Sequence, residues 1–234
     1  MPVVIDALSV RPDARPGLLY GVYPAIVTDN KDPDQMGRVK VRLPWASDPG
    51  GEQAEGWARI ATLMAGGNRG TWFIPDVNDE VLVAFEAGDP RHPYVVGALW
   101  NGRDAPPATM DGTGQNNRKV LRSRSGITVV MDDAAGIEQL ILETPGGQRI
   151  ALKDGPGALE IRDNNGNSVV LQSSGITVTA AASLTVSASQ VTVSAGLVTV
   201  NAGMTQFSGV VKADSVITNS VVSASYTPGT GNIW

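Results

Sequence analysis

The sequence has no cysteine and only one histidine, His92. Disulfide bonds and thiolate metal sites are therefore excluded, and cysteine usage leaves the redox compartment open. The chain also lacks the excess of Lys and Arg that phosphate binding requires, because its formal net charge is -5. Nucleic acid is therefore not expected as a partner.

Long apolar segments are also missing. No run approaches the roughly 18 residues that would span a bilayer, and the N-terminus (Met-Pro-Val-Val-Ile-Asp) has no basic region followed by an apolar stretch. We therefore predict no transmembrane segment and no signal peptide, and we expect synthesis in the cytoplasm. Any role at a membrane would be mechanical or would depend on a partner.

Helical patterns are scarce as well. The chain contains 27 Gly and 15 Pro, and no window keeps apolar residues at the i, i+3, i+4, i+7 spacing of an amphipathic helix. Short β-branched segments separated by turn residues are frequent instead. The sequence therefore predicts an all-β protein.

Residues 173–211 carry no charge at all, and a short phrase repeats within this stretch. The phrase alternates an aliphatic residue with Thr or Ser, and its copies start at Ile176, Leu184, Val191 and Val198. Because side chains alternate across a strand, each copy predicts a short strand with one apolar face and one hydroxylated face.

An uncharged array with open strand edges would aggregate, so these strands are expected to close into a β-helix or prism. One chain closing on itself would complete fewer than about two coils, although three or more units are usually needed for stability. Three chains can instead each supply one side of an intertwined triangular prism. This trimer is favoured, and its predicted core contains Ile176, Val178, Leu184, Val186, Val191, Val193, Val198, Val200 and Phe207.

Related repeats precede the uncharged stretch. A Gly-x-x-Val/Ile-x-Leu/Met phrase occurs at Gly126–Met131, Gly147–Leu152 and Gly166–Leu171, and the aliphatic segments Leu140–Leu142 and Leu159–Ile161 lie between its copies. Similarity at a nearly constant period indicates an array in which each unit buries its apolar face on its neighbours. The repetitive region therefore begins well before the uncharged stretch.

Composition divides the chain into five segments. Residues 1–18 predict an extended N-terminal arm, 19–100 a globular domain, 101–117 a Pro- and Gly-rich linker, 118–214 the trimeric β-helix, and 215–234 a C-terminal tip segment.

Five short strands are predicted within residues 19–100. Such a set, with Pro and Gly at its corners, is typical of a small barrel of the oligonucleotide/oligosaccharide-binding (OB) type. The polar segment 29–37 predicts the hairpin loop between the first two strands. The strands are predicted at Gly21–Thr28, Gly37–Leu43, Trp57–Ile60, Glu80–Phe85 and Tyr94–Leu99.

Several motifs of this domain resemble those of one protein family. They lie at Gly37–Trp45, Trp57–Ala61, Gly70–Pro75, Asn78–Phe85, Gly88–Gly97 and Leu99–Asp104. Together they closely resemble the OB domain of contractile-tail spike proteins, which include phage baseplate assembly protein V and the VgrG proteins of type VI secretion. The resemblance extends over roughly residues 18–215.

The resemblance implies a homotrimer in which three OB barrels form a collar and a triple-stranded β-helix points toward the target membrane. A separate hub protein is implied at the N-terminal end, because fewer than 20 residues precede the barrel. A PAAR-type tip protein is implied at the C-terminal end. Some short phage spikes bind metal at their own tip through a His-x-His motif, which this chain lacks because His92 lies in the barrel.

Each residue that could support catalysis or metal binding has a simpler interpretation. His92 has no Cys partner, and no motif surrounds any Ser, so it is predicted as a loop histidine. Asp132, Asp133 and Asp163 lack the spacing of a calcium loop and are predicted as turn residues. Gly66–Gly70 has no Lys-Ser/Thr after it, so it predicts a flexible surface loop and not a phosphate loop. No catalytic, metal-binding or cofactor-binding residue is assigned.

The sequence thus predicts a non-enzymatic trimeric spike that attaches to a hub and pierces a target envelope, which it contacts only transiently. It would assemble in a phage tail baseplate, a type VI-like system or an extracellular injection particle. The alternative is a carbohydrate- or receptor-binding trimeric fibre with the OB barrels as binding modules. That alternative would place tryptophan rings against sugars, whereas Trp45, Trp57, Trp72 and Trp100 are predicted in the core or at an interface.

The C-terminal segment ends in the apolar pair Ile233 and Trp234. One interpretation is that this tail packs back on its own trimer, because large aromatic side chains contribute strongly when buried. The other is that Tyr226, Ile233 or Trp234 anchors a separate tip protein. With no cysteine and no histidine outside the barrel, the chain is not expected to bind a transition metal at the tip.

Overall fold

The computed structural model describes residues 17–47, 53–155 and 157–225. The predicted N-terminal arm lies outside the described residues except for Gly17 and Leu18. The proposed tip-docking residues also lie outside them: Tyr226, Ile233 and Trp234.

The chain divides into two compact units, Met1–Ser183 and Leu184–Trp234. The described residues contain strands and one short 3₁₀ turn but no α-helix, which confirms the all-β prediction. Accordingly, no helix in the described part of the chain has the length and apolar character needed to cross a bilayer.

The N-terminal part of the first unit contains seven strands, and five of them close into a barrel. They are β1 (Val22–Asp29), β2 (Val39–Ser47), β3 (Gln53–Ile60), β4 (Ala65–Gly66), β5 (Arg69–Gly70), β6 (Glu80–Phe85) and β7 (Pro93–Ala98). Around the barrel the order is β1-β2-β3-β7-β6, and only β3 and β7 pair in parallel. The predicted five-stranded OB-type barrel is confirmed. β3 begins earlier than predicted, because β2 continues to Ser47 and pairs there with Gln53.

Alternate residues of the barrel strands point inward and form its core. This core is aliphatic apart from one phenylalanine, because the interior of a small closed barrel leaves little room for larger rings. Its members are Ala25, Val27, Val39, Val41, Leu43, Ala58, Val81, Val83, Phe85 and Val95.

The described tryptophans lie outside this core. Of the two predicted positions, core or interface, the interface stays a prediction. Trp57 neighbours the inward-facing Ala58 in β3 and therefore faces outward, where Arg38 lies 5.7 Å from its ring centroid. Trp45 stacks on Tyr23 with ring centroids 4.7 Å apart. The remaining two are exposed: Trp72 and Trp100.

The loop between β1 and β2 is organised around Asp32. Its carboxylate accepts hydrogen bonds from the backbone N–H groups of Asp34, Met36 and Arg38, and from the Arg38 guanidinium at 2.6 Å. The hydrogen bonds from Arg38 and from the backbone hold the pKa of Asp32 well below its usual range. The predicted hairpin loop is therefore present and has a defined internal structure.

Residues 66–70, predicted as a flexible surface loop, belong to a short hairpin instead. β4 and β5 pair in antiparallel fashion. Gly70 makes this possible, because a Cβ at this position would lie 2.5 Å from the carbonyl oxygen of Met64. Only glycine fits such a close backbone approach.

The second part of the first unit is a seven-stranded antiparallel sheet in which sequential strands are neighbours. Its predicted phrases and the segments between them all form strands. Gly147 and Gly166 recur before two of these strands because both occupy the left-handed region, with φ of 83° and 90°. The strands are β8 (Arg118–Arg122), β9 (Thr128–Asp132), β10 (Gln139–Glu143), β11 (Arg149–Lys153), β12 (Ala158–Arg162), β13 (Ser168–Gln172) and β14 (Gly175–Thr179).

Beyond β14, residues 180–225 form no strand in the single chain. The first phrase of the uncharged stretch forms β14 as predicted, but the phrases that start at Leu184, Val191 and Val198 do not. These strands were predicted to pair between chains, and residues 180–225 show no strand pairing within the single chain. Their pairing with other chains stays a prediction.

Candidate self-association face

The two sides of the seven-stranded sheet differ in composition. In antiparallel pairs, directly opposite residues share a face, and so do residues two positions apart along a strand. The strand registers therefore define which side chains lie together. The more apolar side is named the aliphatic face here, and the other side the charged face.

The aliphatic face consists of two rows that cross all seven strands. Each strand contributes one residue to each row, and every member is aliphatic or methionine except Lys119. One row contains Lys119, Met131, Leu140, Leu152, Leu159, Leu171 and Ile176, and the other contains Leu121, Val129, Leu142, Ile150, Ile161, Val169 and Val178. At a strand spacing of about 4.8 Å, the rows are about 29 Å long.

Much of the aliphatic face is exposed in the single chain. Leu142 is 39% exposed, Leu152 47% and Ile176 69%. Lys119 lies on an edge strand, where its ammonium pairs with Asp133 and donates to the Asn116 carbonyl oxygen at 2.9 Å. A continuous exposed apolar surface of this kind marks an interaction site.

The charged face has one mostly apolar central row between two outer rows of mainly charged or polar residues. Val130 and Ala151 are buried in the central row, which consists of Val120, Val130, Ile141, Ala151, Glu160, Val170 and Thr177. Glu160 accepts a hydrogen bond from Lys153 at 2.9 Å and lies 3.3 Å from Arg162. These cations, Lys153 above all, lower the pKa of Glu160. The charge of Glu160 is therefore balanced within its own face.

The structure brings only the first two of the predicted trimer-core residues together. Ile176 and Val178 lie on the aliphatic face, one in each row. The others lie in the segment without strands, where each is exposed, and their burial stays a prediction. These residues are Leu184, Val186, Val191, Val193, Val198, Val200 and Phe207.

Sequence reasoning placed residues 118–214 in the trimeric β-helix but named no core residue before Ile176. A signal was present, because Leu140-x-Leu142 and Leu159-x-Ile161 repeat the same spacing of two as the later phrases. Charged residues at alternate positions, such as Arg149 and Lys153 in β11, hide this spacing when hydropathy is averaged along the chain. They belong to the charged face.

The other candidate residues lie in turns and at the surface, except Asp132, which was predicted as a turn residue and is the last residue of β9. His92 is exposed in the bend before β7. Asp132 accepts a backbone hydrogen bond at 3.1 Å, Asp133 pairs with Lys119, and Asp163 accepts two backbone hydrogen bonds in its turn, at 2.9 and 2.8 Å. Among residues 17–47, 53–155 and 157–225, no three His, Cys, Asp or Glu side chains converge as metal ligands would.

Two family models match the barrel and the repetitive region. The type VI secretion system/phage-baseplate injector OB domain matches residues 23–100. The phage baseplate V C-terminal trimerisation domain matches residues 139–206, from β10 through the uncharged phrases. Together these matches cover more than half of the chain. The chain belongs to the phage baseplate V and VgrG family of spike proteins.

Relatives in this family include spike proteins of type VI secretion. The spike protein VgrG1b of Pseudomonas aeruginosa is 32% identical over 128 residues, which cover 52% of this chain and 17% of the relative. VgrG1c of the same organism is 33% identical over 128 residues, which cover 52% and 18%. The actin cross-linking toxin VgrG1 of Vibrio cholerae is 33% identical over 133 residues, which cover 54% and 11%. The chain thus spans less than a fifth of the length of these relatives.

The family resemblance drawn from the sequence motifs is therefore confirmed, and a role as a structural part of an injection apparatus is supported. The matched models describe an injector OB domain and a trimerisation domain. They give no support to the alternative of a carbohydrate- or receptor-binding fibre.

Proposed function

We propose that this chain forms a homotrimer that serves as the central spike of a contractile injection machine. The main support for this proposal is the aliphatic face. In the single chain, leucine, isoleucine, valine and methionine side chains of its two rows are exposed to water. Three copies that turn these rows toward a common axis would bury them, at a gain of roughly 25 cal/mol per Å². The match to a trimerisation domain over residues 139–206 supports three copies.

The uncharged phrases extend the pattern of the aliphatic face. Each phrase has apolar residues at its first and third positions, as Leu184 and Val186 do, and each sheet strand fills the two rows with the same spacing. Buried backbone N–H and C=O groups need partners, and residues 180–225 have no strand partner within the single chain. In the proposed trimer, strands of the neighbouring chains supply them and the three chains intertwine.

Such a trimer is suited to a mechanical, non-enzymatic role. When a sheath contracts, the spike has to resist bending and unravelling while it pierces the target envelope. In an intertwined prism, strand hydrogen bonds connect the chains, and one chain can leave only if many of them break together. The Thr and Ser hydroxyls of the phrases remain hydrated on the outside.

Three partners follow from this role. A separate hub protein would hold the barrel end, a PAAR-type tip protein would cap the C-terminal end, and the target membrane would be contacted transiently. The chain would be made in the cytoplasm and assembled into a baseplate or injection particle. Nucleic acid is not among the proposed partners, given the net charge of -5.

Deletion of the gene, followed by examination of the contractile particles, tests this function. We expect particles that lack a spike and fail to deliver their contents, and we expect complementation by Leu142→Asp to fail. Glu143→Gln, one residue away on the charged face, is the matched control and should restore delivery. Normal delivery without the chain would contradict the proposal, and a defect confined to attachment would favour the fibre.

The C-terminal end has its own test. We expect the purified trimer to carry no stoichiometric transition metal, because the sequence offers no Cys and no His outside the barrel. Deletion of residues 226–234, which include Tyr226, Ile233 and Trp234, should weaken binding of the tip protein if these residues anchor it. Unchanged binding would exclude a role of this tail in docking, and iron or zinc that survives a chelator wash would contradict the first expectation.

A further inference from the structure

A groove lies at one end of the barrel, between the β1–β2 loop and the β4–β5 hairpin. Its volume is about 750 Å³, within the roughly 300–1,000 Å³ of typical binding pockets. Ile60 and Ile74 line it and pack against the barrel core. Met36, Met64 and Trp72 line it as well and are exposed. This apolar surface is separate from the aliphatic face.

The walls of the groove are held in place by the fold. A Cβ at Gly37 would lie 3.1 Å from the Trp72 ring, so this ring rests against the backbone of the β1–β2 loop. On the other side, the Thr62 hydroxyl donates to the Thr71 carbonyl oxygen at 2.9 Å, which joins the segment before the β4–β5 hairpin to the segment after it. The groove is therefore formed before any occupant binds.

The charged side chains that line the groove are all positive. Arg59 and Arg69 are the charged residues among its described lining residues. Neither forms an ion pair with a carboxylate of the described residues. The chain as a whole is acidic, so the groove is a local exception. A segment that suits this groove would be apolar and would carry a negative charge.

The N-terminal arm contains such a segment. Residues Val3–Leu8 read Val-Val-Ile-Asp-Ala-Leu, in which Asp6 is the one charged residue. The β-branched residues favour an extended backbone, and the aliphatic side chains match the apolar walls. The carboxylate of Asp6 would face the two arginines.

The N-terminal arm is also long enough to reach the groove. The N–H of Leu19 donates to the Gly88 carbonyl oxygen at 2.7 Å near the start of β1, and the end of β1 leads into the loop that lines the groove. β1 has eight residues and therefore spans about 27 Å. The residues between Leu8 and Gly17 would cover about 26–29 Å if extended, which is enough to run back along a barrel.

We propose that the segment Val3–Leu8 of this chain occupies the groove, with Asp6 placed between Arg59 and Arg69. The arm then covers the exposed methionine and tryptophan side chains of its own barrel or of a neighbouring barrel in the assembly. This docking is independent of the trimer core.

The absence of cysteine gives a direct test in the full-length protein. The pair Ile5→Cys/Met64→Cys should form a disulfide on mild oxidation, because that bond requires Cα atoms within about 7 Å. The matched control is Ile5→Cys/Val96→Cys, since Val96 is an exposed barrel residue outside the groove. We expect at least several-fold more disulfide in the first pair. A product of monomer mass places the arm on its own barrel and a product of dimer mass on a neighbour, and both support the proposal.

Charge reversal tests the assignment of Asp6. Asp6→Arg added to the Ile5→Cys/Met64→Cys pair should lower the disulfide yield several-fold, and Arg69→Glu added to that variant should restore it. Equal yields from the groove pair and the Val96 control would overturn the proposal. A disulfide between two chains that carry Met64→Cys alone would also overturn it, because a second barrel would then occupy the groove. Light scattering and thermal melting of the same samples separate a failure of docking from a failure of the trimer or of folding.

Discussion

The substitution Leu142→Ala measures how deeply the aliphatic face is buried. Leu142 lies opposite Val129 and Ile150 and is 39% exposed in the single chain. The substitution removes three carbon atoms, each of which stabilises the fold by about 0.8 kcal/mol when fully buried. If Leu142 were buried only as far as it is in the single chain, the expected loss of stability would be about 1.5 kcal/mol. A leucine fully buried in a core costs about 2–5 kcal/mol on truncation to alanine. For three copies in one trimer, the expected loss is about 6–15 kcal/mol.

Thermal unfolding followed by circular dichroism, at two protein concentrations, distinguishes these outcomes. In a trimer the melting temperature rises with protein concentration, because association is coupled to folding. We expect that dependence in the unmodified protein and a large loss in Leu142→Ala. The matched control Glu143→Ala changes an exposed residue of the charged face and should stay within about 0.5 kcal/mol. A loss of about 1.5 kcal/mol or less, with a melting temperature independent of concentration, would refute the reasoning.

Three further predictions concern the prism, the groove and the barrel loop. Val193→Asp would place three desolvated carboxylates near the proposed axis and should abolish the trimer in light scattering. Thr192→Asp, on the opposite face of the strand, should leave the trimer intact. Equal melting temperatures of the two variants would contradict the assigned register. Gly37→Ala should destabilise the barrel by about 1–2 kcal/mol, because its φ is 72° and a Cβ would lie 3.1 Å from a tryptophan ring. In the control Gly97→Ala, the added Cβ would have no atom within 4 Å, and the free energy of unfolding should stay within about 0.5 kcal/mol of that of the unmodified protein. An equal loss of stability in both variants would contradict the groove geometry. The lowered pKa of Asp32 means that its stabilisation is fully present above the ordinary value of 3.8 and is lost as the pH falls toward the lowered value. Asp32→Asn should therefore melt below the unmodified protein at neutral pH and approach it in acid, and a gap that does not change with pH would refute this.

The strands of the barrel could be predicted because each one is specified by a pattern within its own short segment of sequence. Each strand alternates inward and outward residues, as Val39, Val41 and Leu43 do in β2, and turn residues separate the strands. The OB order followed from the family motifs, since no local pattern states that β3 pairs with β7 in parallel. Strand ends were less predictable, because the start of β3 at Gln53 depends on its partner in β2.

The candidate site was only partly predictable. Its last strand, β14, was predicted because Ile176 and Val178 belong to an uncharged phrase. The strands before it were predicted as repeats, but the face that they share emerged only when strand registers placed Leu140, Leu152 and their neighbours in common rows. Registers depend on contacts between strands, and these contacts cannot be read from one strand alone.

The groove could not be predicted from local sequence at all. It depends on the packing of Trp72 against Gly37, residues far apart along the chain, and on the close approach of Gly70 to Met64. In the sequence, Gly66–Gly70 has only the composition of a loop. The hairpin that it forms is a consequence of the surrounding barrel.

The molar mass of the folded full-length chain in solution tests the central claim most directly. Multi-angle light scattering at micromolar concentration should give three times the 24.4 kDa of one chain, and the species should persist on dilution. In the proposed trimer, the aliphatic face and the uncharged phrases are buried only between chains. A soluble, folded species of 24.4 kDa would contradict it.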